Sequence, residues 1–270
     1  MQHHSIVFGI VLAILLGMVP LPDAHAALPA GARAGSAQEY DAWFATCQRE
    51  EADPEERITA CTAALNAARD VAEDDAVMLV NRGIARAAKS EHQAALEDFD
   101  KAIGRDPAND SAFFQAGVVY DELGQYDKAI RAYDNVLRLV PTDAAALNNR
   151  CWARVLSFDA AWALPDCEES LRLGPNDPDA LDTRGFAYLL LGRLDDAIAS
   201  FTAAIAARAR QPTAFYGRAL ARMAVDHGAT AAADLAAARR IDPDIDTKFR
   251  RWGLPASNPP CLWPGACRKP

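Results

Sequence analysis

The stretch AAALNNRCWARVLSFDAAWALPDCEESLRLGPND, residues 144–177, decides the fold, because the segments before and after it repeat its pattern at the same length. The prolines near the ends of these segments fall at multiples of 34 residues: Pro107, Pro141, Pro175 and Pro243. This period divides most of the chain into five blocks, namely 76–109, 110–143, 144–177, 178–211 and 212–245.

Three columns of the aligned blocks hold characteristic residue types. The eighth position is mostly glycine: Gly83, Gly117, Cys151, Gly185 and Ala219. The twentieth is alanine in every block: Ala95, Ala129, Ala163, Ala197 and Ala231. The twenty-fourth is mostly aromatic: Phe99, Tyr133, Cys167, Phe201 and Leu235.

These columns resemble the tetratricopeptide repeat, a helix-turn-helix unit with small residues at positions 8 and 20 and an aromatic residue at position 24. The resemblance implies an all-α fold, a right-handed superhelical solenoid of stacked helix pairs. Small residues allow the two helices of a unit to approach closely, the aromatic residue fills the space between units, and proline ends the second helix.

The flanking segments complete the predicted organisation. Residues 39–75 are expected to form a degenerate helix pair, in which Asp53, Pro54 and Glu55 have the pattern of a helix N-terminus. Residues 27–38 are expected to be a linker. Residues 246–270 are expected to hold the end of a C-terminal helix with a polar outer face, followed by a proline-rich tail.

The first residues have the pattern of a signal peptide, residues 1–26. Ile6 to Val19 is a short apolar run, and Ala24-His25-Ala26 is a small-x-small site that places cleavage before Ala27. The alternative is that the run is retained as an anchor, since no Lys or Arg precedes it. The mature chain is therefore expected in the periplasm or secreted, with no integral membrane segment.

Charge argues against nucleic acid as a partner. The formal net charge is −9, and removal of Asp23 with the signal peptide leaves 36 acidic and 28 basic residues, a net charge of −8. Binding to phosphates requires a basic surface, which this composition does not favour.

Six cysteines in an oxidising compartment are predicted to form disulfides. Cys151 and Cys167 occupy positions 8 and 24 of one block, which face each other across a helical hairpin. Cys47 and Cys61 bracket a predicted turn in the same way. The predicted bridges are thus nearest neighbours, Cys47–Cys61, Cys151–Cys167 and Cys261–Cys267, with a bond to another chain as the alternative for the last pair.

The arginines at position 7 have two interpretations, a ligand-binding column or ion pairs within the repeat. Position 7 reads Arg82, Ala116, Arg150, Arg184 and Arg218, and position 23 reads Asp98, Ala132, Asp166, Ser200 and Asp234. Because arginine and aspartate are lost together in the second block, the pattern favours ion pairs. Arg184 is the arginine expected to be most available for another role.

The resemblance also implies which residues line the concave groove, since the first helix of each unit forms that face. Apolar and aromatic side chains, with amides at position 6, are expected to bind a protein or peptide there. The alternative is that the chain itself covers the stripe. The expected binding residues are Val80, Asn81, Ile84, Phe114, Gln115, Val118, Asn149, Trp152, Phe186, Tyr216 and Leu220.

Catalysis has little support in the sequence. After signal removal His92 and His227 are the only histidines, and no metalloprotease, nucleophile-elbow, CxxC or phosphate-loop motif is present. No catalytic residue, metal or cofactor is predicted. The predicted function is an exported scaffold that binds a protein or peptide partner. The alternative is a self-assembly module of the cell envelope that forms a homo-oligomer.

Overall fold

The structure is a computed structural model that describes residues 37–67, 72–225 and 228–254. These residues contain thirteen α-helices and no β-strand, which confirms the all-α prediction. The described residues divide into two compact units, with the boundary between Ala112 and Phe113. The expected signal peptide (1–26), His227 and the expected bridge Cys261–Cys267 lie outside the described residues.

The first unit consists of two helical hairpins. Its helices are α1 (Ala37–Gln48), α2 (Pro54–Asn66), α3 (Ala72–Ala88) and α4 (His92–Arg105). Helix α1 begins inside the segment expected to be a linker, and α3 begins four residues before the expected repeat boundary at residue 76. Asp53 caps α2, since its carboxylate accepts a hydrogen bond from the Glu55 amide at 2.9 Å.

The second unit contains the remaining repeats and a short terminal helix. Its helices are α5 (Asp110–Glu122, which starts at the end of the first unit), α6 (Tyr126–Leu139), α7 (Ala144–Leu156), α8 (Ala160–Leu173), α9 (Pro178–Leu190), α10 (Leu194–Ala207), α11 (Pro212–Ala224), α12 (Gly228–Ile241) and α13 (Ile245–Arg251). Each 34-residue block is therefore one hairpin. We call α3, α5, α7, α9 and α11 the first helices and α4, α6, α8, α10 and α12 the second helices.

The turn inside each of the first four repeats contains one residue with positive φ. Gly124 and Gly192 occupy this position at φ 69° and 71°, but Ser90 and Phe158 adopt the same conformation at 62° and 61°. The amide that follows donates back to the first helix, for example from Gln125 to the Tyr120 carbonyl at 2.8 Å. The residue with positive φ thus ends the first helix and reverses the chain direction towards the second helix.

Positions 8 and 24 face each other across the hairpin, as the repeat pattern predicts. A Cβ atom added to Gly185 would lie 2.5 Å from the ring of Phe201, and one added to Gly83 would lie 2.4 Å from the ring of Phe99. Both aromatic rings are completely buried. Glycine is therefore required because the partner ring lies directly on the helix backbone.

Both predicted disulfides within the described residues are present. Cys151 and Cys167 replace the glycine and the aromatic residue of the third repeat, with their Cα atoms 5.6 Å apart. Cys47 and Cys61 join α1 to α2 with a Cα separation of 4.8 Å. All four sulfur-bearing residues are completely buried. A covalent bond thus replaces an aromatic contact in one hairpin.

Candidate functional site

The arginines at position 7 pair with aspartates inside their own repeats. Arg82 donates from Nε and Nη2 to the Asp98 carboxylate at 2.9 and 2.7 Å. Asp98 is completely buried. The same pair of hydrogen bonds joins Arg150 to Asp166 and Arg218 to Asp234. The ion-pair interpretation of this column is confirmed for these three repeats.

The sequence prediction missed a second arginine on each of these aspartates. Nη1 of Arg154 donates to Asp166 at 2.6 Å and to the Trp162 carbonyl at 2.9 Å. Arg86 and Arg222 occupy the same place in the first and fifth repeats. The signal was present at position 11, which alternates in step with position 23: Arg86, Tyr120, Arg154, Tyr188 and Arg222.

Arg184 has a serine where the other arginines have an aspartate. Its Nε donates to the Ser200 hydroxyl at 3.0 Å, and its guanidinium carbon lies 5.8 Å from the Tyr188 ring centroid. The guanidinium of Arg193 lies closer to the same ring, at 4.4 Å. Arg184 is thus also engaged within its own repeat.

The predicted groove residues of the first unit differ in exposure. Val80 is buried against Leu79 and Ala102, whereas Ile84 is half-buried. The Asn81 side-chain oxygen accepts a hydrogen bond from Nη2 of Arg57 at 3.4 Å. Asn81 and Ile84 are therefore the side chains of this set that retain some exposure.

In the second unit, the predicted groove residues fall into an accessible set and a covered set. Phe114, Gln115, Val118 and Trp152 are half-buried, and they lie on α5 and α7. The Phe114 ring meets the Tyr133 ring edge-on, with centroids 5.8 Å apart. The covered set consists of Asn149, Phe186, Tyr216 and Leu220, which are 6%, 1%, 0% and 1% exposed.

The C-terminal helix α13 contacts two residues of this second set, Phe186 and Tyr216. The Phe249 ring lies 4.0 Å from the Tyr216 ring and 5.7 Å from the Phe186 ring, centroid to centroid. Trp252, one residue after α13, meets Trp152 edge-on at 5.4 Å. The chain itself therefore covers part of the predicted stripe, and α13 presents an aromatic face to α9 and α11. The terminal helix is polar only on its outer side.

Ile245, Phe249 and Trp252 were thus missing from the predicted set of site residues. Ile245 and Phe249 are completely buried. Their spacing of four and then three residues places them on one side of a helix, and this periodicity was the available signal.

Polar groups are buried beside the covered aromatic residues. The Asp182 carboxylate accepts hydrogen bonds from the Thr213 hydroxyl and from the Gln211 amide, the latter at 3.3 Å. Within the described residues its Oδ1 atom has no hydrogen-bond partner. Burial raises the pKa of Asp182 to about 7, against the hydrogen bonds from Thr213 and Gln211, which lower it.

A second buried carboxyl lies on α5. Asp121 accepts a hydrogen bond from the Tyr133 hydroxyl at 2.8 Å. Burial raises the pKa of Asp121 to about 8, and it raises the pKa of Tyr133 well above its ordinary value. Burial thus favours the neutral, protonated forms of both side chains.

The described residues also bear on membrane and metal sites. No helix there is both long and apolar enough to cross a membrane. In the same ranges, no three His, Cys, Asp or Glu side chains come together in a cluster that would hold a metal ion.

Family models for the tetratricopeptide repeat match residues 111–143 and 178–210, the second and fourth blocks. Human tetratricopeptide repeat protein 13 is 30% identical over 132 residues, which cover 47% of this chain and 15% of the human protein. Bovine tetratricopeptide repeat protein 36 is 37% identical over 88 residues, which cover 31% of this chain and 47% of that protein. The chain thus spans less than half the length of these two relatives.

Solved structures share the fold. A tetratricopeptide repeat protein from Parabacteroides merdae superposes with a TM-score of 0.64 at 20% identity, covering 82% of this chain and 81% of that one. The crystal structure of YrrB, described as a TPR protein with an unusual peptide-binding site, gives a TM-score of 0.55 at 24% identity, covering 73% and 100%. Because the family matches fall on hairpins whose glycine and aromatic residues pack as the repeat pattern predicts, residues 111–143 and 178–210 are tetratricopeptide repeats.

Proposed function

We propose that this chain is an exported scaffold without catalytic activity, which binds a protein or peptide through its first helices. The observation that carries the proposal is the row of half-buried apolar and aromatic side chains on α5 and α7, formed by Phe114, Val118 and Trp152. Such side chains provide large contact areas at low entropic cost, and Gln115 beside them can bond to a peptide backbone.

Export is supported by the two disulfides. Cys47–Cys61 and Cys151–Cys167 are both buried within helical hairpins, and structural disulfides persist in oxidising compartments. The predicted cleavage before Ala27 is checked by N-terminal sequencing of the chain recovered from the periplasm or medium. A chain that begins at Met1 and sediments with the membrane would favour the anchor instead.

The binding proposal is tested by selecting peptides from a displayed library against residues 27–270 and measuring their affinities by calorimetry. Trp152→Ala is expected to weaken binding about tenfold or more, because a central tryptophan often dominates an interface. Trp162→Ala is the matched control, since Trp162 belongs to the same repeat but is 67% exposed on the second helix. Equal affinities for the two variants would contradict the proposal.

Self-assembly is a second candidate, and exposed aromatic residues favour it. Phe158 and Trp162 are 56% and 67% exposed near the turn between α7 and α8. Exposed apolar groups of this size are typical of contact surfaces. Light scattering of the mature chain distinguishes the candidates, because a scaffold for a different partner is expected to be a monomer.

A further inference from the structure

Helix α13 contacts the first helices as a bound peptide would. The apolar side chains of α13 and of the residue after it are spaced by four and three residues and belong to the same hydrophobic core as residues of α7, α9 and α11: Ile245, Phe249 and Trp252. Phe249 lies against Phe186 and Tyr216, and Trp252 lies against Trp152. These contacts are the helix-in-groove arrangement, in which one amphipathic face supplies the anchoring side chains.

Polar contacts fix the position of α13 along this face. The Asp246 carboxylate accepts a hydrogen bond from the Tyr216 hydroxyl at 2.8 Å and two from Arg239 at 2.7 and 3.0 Å. Near the other end, Nη2 of Arg251 donates to the Glu122 carbonyl at 3.0 Å. Tyr216 and Arg239 therefore bind a carboxylate next to Ile245, the first apolar residue of α13.

Helix α13 depends on this docking for its own stability. It has seven residues, and helices of that length are unstable when isolated in water. Gly253, with φ of 70°, ends it, and the Leu254 amide donates to the Phe249 carbonyl at 2.9 Å. Only a short turn connects it to α12. Opening of α13 therefore requires the loss of the side-chain contacts that dock it.

We propose that α13 is an intramolecular occupant of a helix-binding site, and that the partner is an amphipathic helix that displaces it. The partner segment would carry an apolar residue, a carboxylate next to it, and aromatic residues four and seven positions after the first. This pattern is the one that Ile245, Asp246, Phe249 and Trp252 present to the face. The inference rests on the proposed function and adds the chemistry of the partner.

The covalent link to α12 makes α13 a strong competitor of a partner helix for this face. A segment joined by a short linker acts at an effective concentration of about millimolar, so a partner must displace it before binding. If α13 occupies the face in 90–99% of molecules, roughly the range expected for a two-state gate, the apparent affinity for a partner falls about 10- to 100-fold. A variant with α13 undocked should therefore bind a matching helix more tightly.

The test uses a fluorescent peptide with the sequence of residues 243–254, PDIDTKFRRWGL, titrated into full mature chains. Wild type is expected to bind it weakly, and Phe249→Ala at least tenfold more tightly, by fluorescence anisotropy. Asp246→Ala, which removes the Tyr216 and Arg239 contacts without an apolar cavity, is expected to give a smaller gain. Arg250→Ala is the matched control, since that side chain is exposed on α13 and should leave binding as in wild type.

The outcomes separate this inference from the proposed function. The same peptide with alanine in place of Phe249 should bind none of the chains. We call Phe249→Ala and Asp246→Ala the docking variants. If circular dichroism shows that they are folded and they bind the peptide with the same affinity as wild type, the inference that α13 occupies the face is wrong. Dimerisation of wild type that is lost in Phe249→Ala would also overturn it, because the occupant would then be a second copy. Library peptides that bind wild type and both docking variants equally would leave the proposed function standing.

Discussion

At the scale of single residues, one aspartate organises two arginines in three of the repeats. In the third repeat, Asp166 accepts from Arg150 and Arg154, and Arg150 also reaches Asp134 of the preceding helix at 2.7 Å. The aspartate is 5% exposed, so its charge depends on these cations. The arginines therefore serve the folding of the hairpin, and they are poor candidates for ligand binding.

Removal of this aspartate should cost much more than removal of its counterpart in the fourth repeat. Asp166→Ala leaves Arg154 without a carboxylate and Arg150 with only the exposed Asp134, and the expected loss of unfolding free energy is about 3–5 kcal/mol. Ser200→Ala is the matched control, since Ser200 accepts one hydrogen bond from Arg184, worth about 1 kcal/mol. Denaturant titration measures both, and similar losses would contradict the assignment.

The buried carboxyl of Asp182 predicts a pH-dependent stability. Burial raises its pKa to about 7, so the folded chain keeps the proton that the unfolded chain releases near pH 4. Stability due to this group is fully present below about pH 4 and is lost as pH rises towards and through about 7.

Asp182→Asn should remove that loss, because an amide cannot ionise. Relative to wild type, its unfolding free energy should increase between about pH 4 and 7, by up to about 4 kcal/mol at about 1.4 kcal/mol per pKa unit. Asp195→Asn on α10, where the side chain is exposed, is the control. Parallel pH curves for wild type and Asp182→Asn would show that the carboxyl is ionised at little cost.

Residue-level prediction from sequence succeeded where partners lie at a fixed separation. Arg82 and Asp98 are sixteen residues apart, as are the equivalent pairs, so their covariation was visible. The contact of Asp182 with Gln211 was not, because it joins side chains 29 residues apart, near the two ends of the fourth block, and has no equivalent elsewhere in the described chain. Periodic contacts can be predicted from one sequence, whereas unique ones need coordinates.

At the scale of elements, the third hairpin combines a weak helix with a disulfide. Pro165 lies inside α8, where it removes a backbone hydrogen bond and costs about 3 kcal/mol. The bond between Cys151 and Cys167 closes a loop of about the length for which chain entropy predicts about 3 kcal/mol of stabilisation. The two effects are similar in size.

Reduction should therefore loosen two hairpins selectively. After treatment with dithiothreitol, amide hydrogen exchange is expected to accelerate in α1–α2 and α7–α8, which contain the two bridges. The hairpin of α9 and α10 is the internal control, since it retains the packing of Gly185 against Phe201. Equal protection before and after reduction would show that the bridges do not stabilise these elements.

The hairpins themselves followed from the sequence, because the 34-residue period fixes both helices and the turn between them. In the third repeat, Phe158 has the left-handed conformation at this turn. The position of α13 did not follow, since its contacts with Phe186 and Trp152 cross several repeats. A segment outside the period carries no register information, and only its amphipathic spacing could be recognised.

At the scale of the whole molecule, stability should depend on the compartment in which the chain folds. A chain made without residues 1–26 in a reducing cytoplasm is expected to lack both hairpin disulfides. Its unfolding free energy should be lower by several kcal/mol, at about 3 kcal/mol per bridge. Oxidation in vitro should restore it. Thermal unfolding with thiol alkylation measures both properties, and identical transitions for the two forms would contradict the prediction.

Repeats with and without the cluster of two arginines and one aspartate alternate along the chain, and this alternation has a consequence for changing the number of repeats. These clusters occur in the first, third and fifth blocks. The second and fourth blocks, which the family models match, have tyrosine at position 11 instead. The natural building block is therefore a 68-residue pair of unlike modules. An engineered chain lengthened by one whole pair keeps every junction between unlike neighbours, whereas a single inserted module creates a junction between two of the same kind.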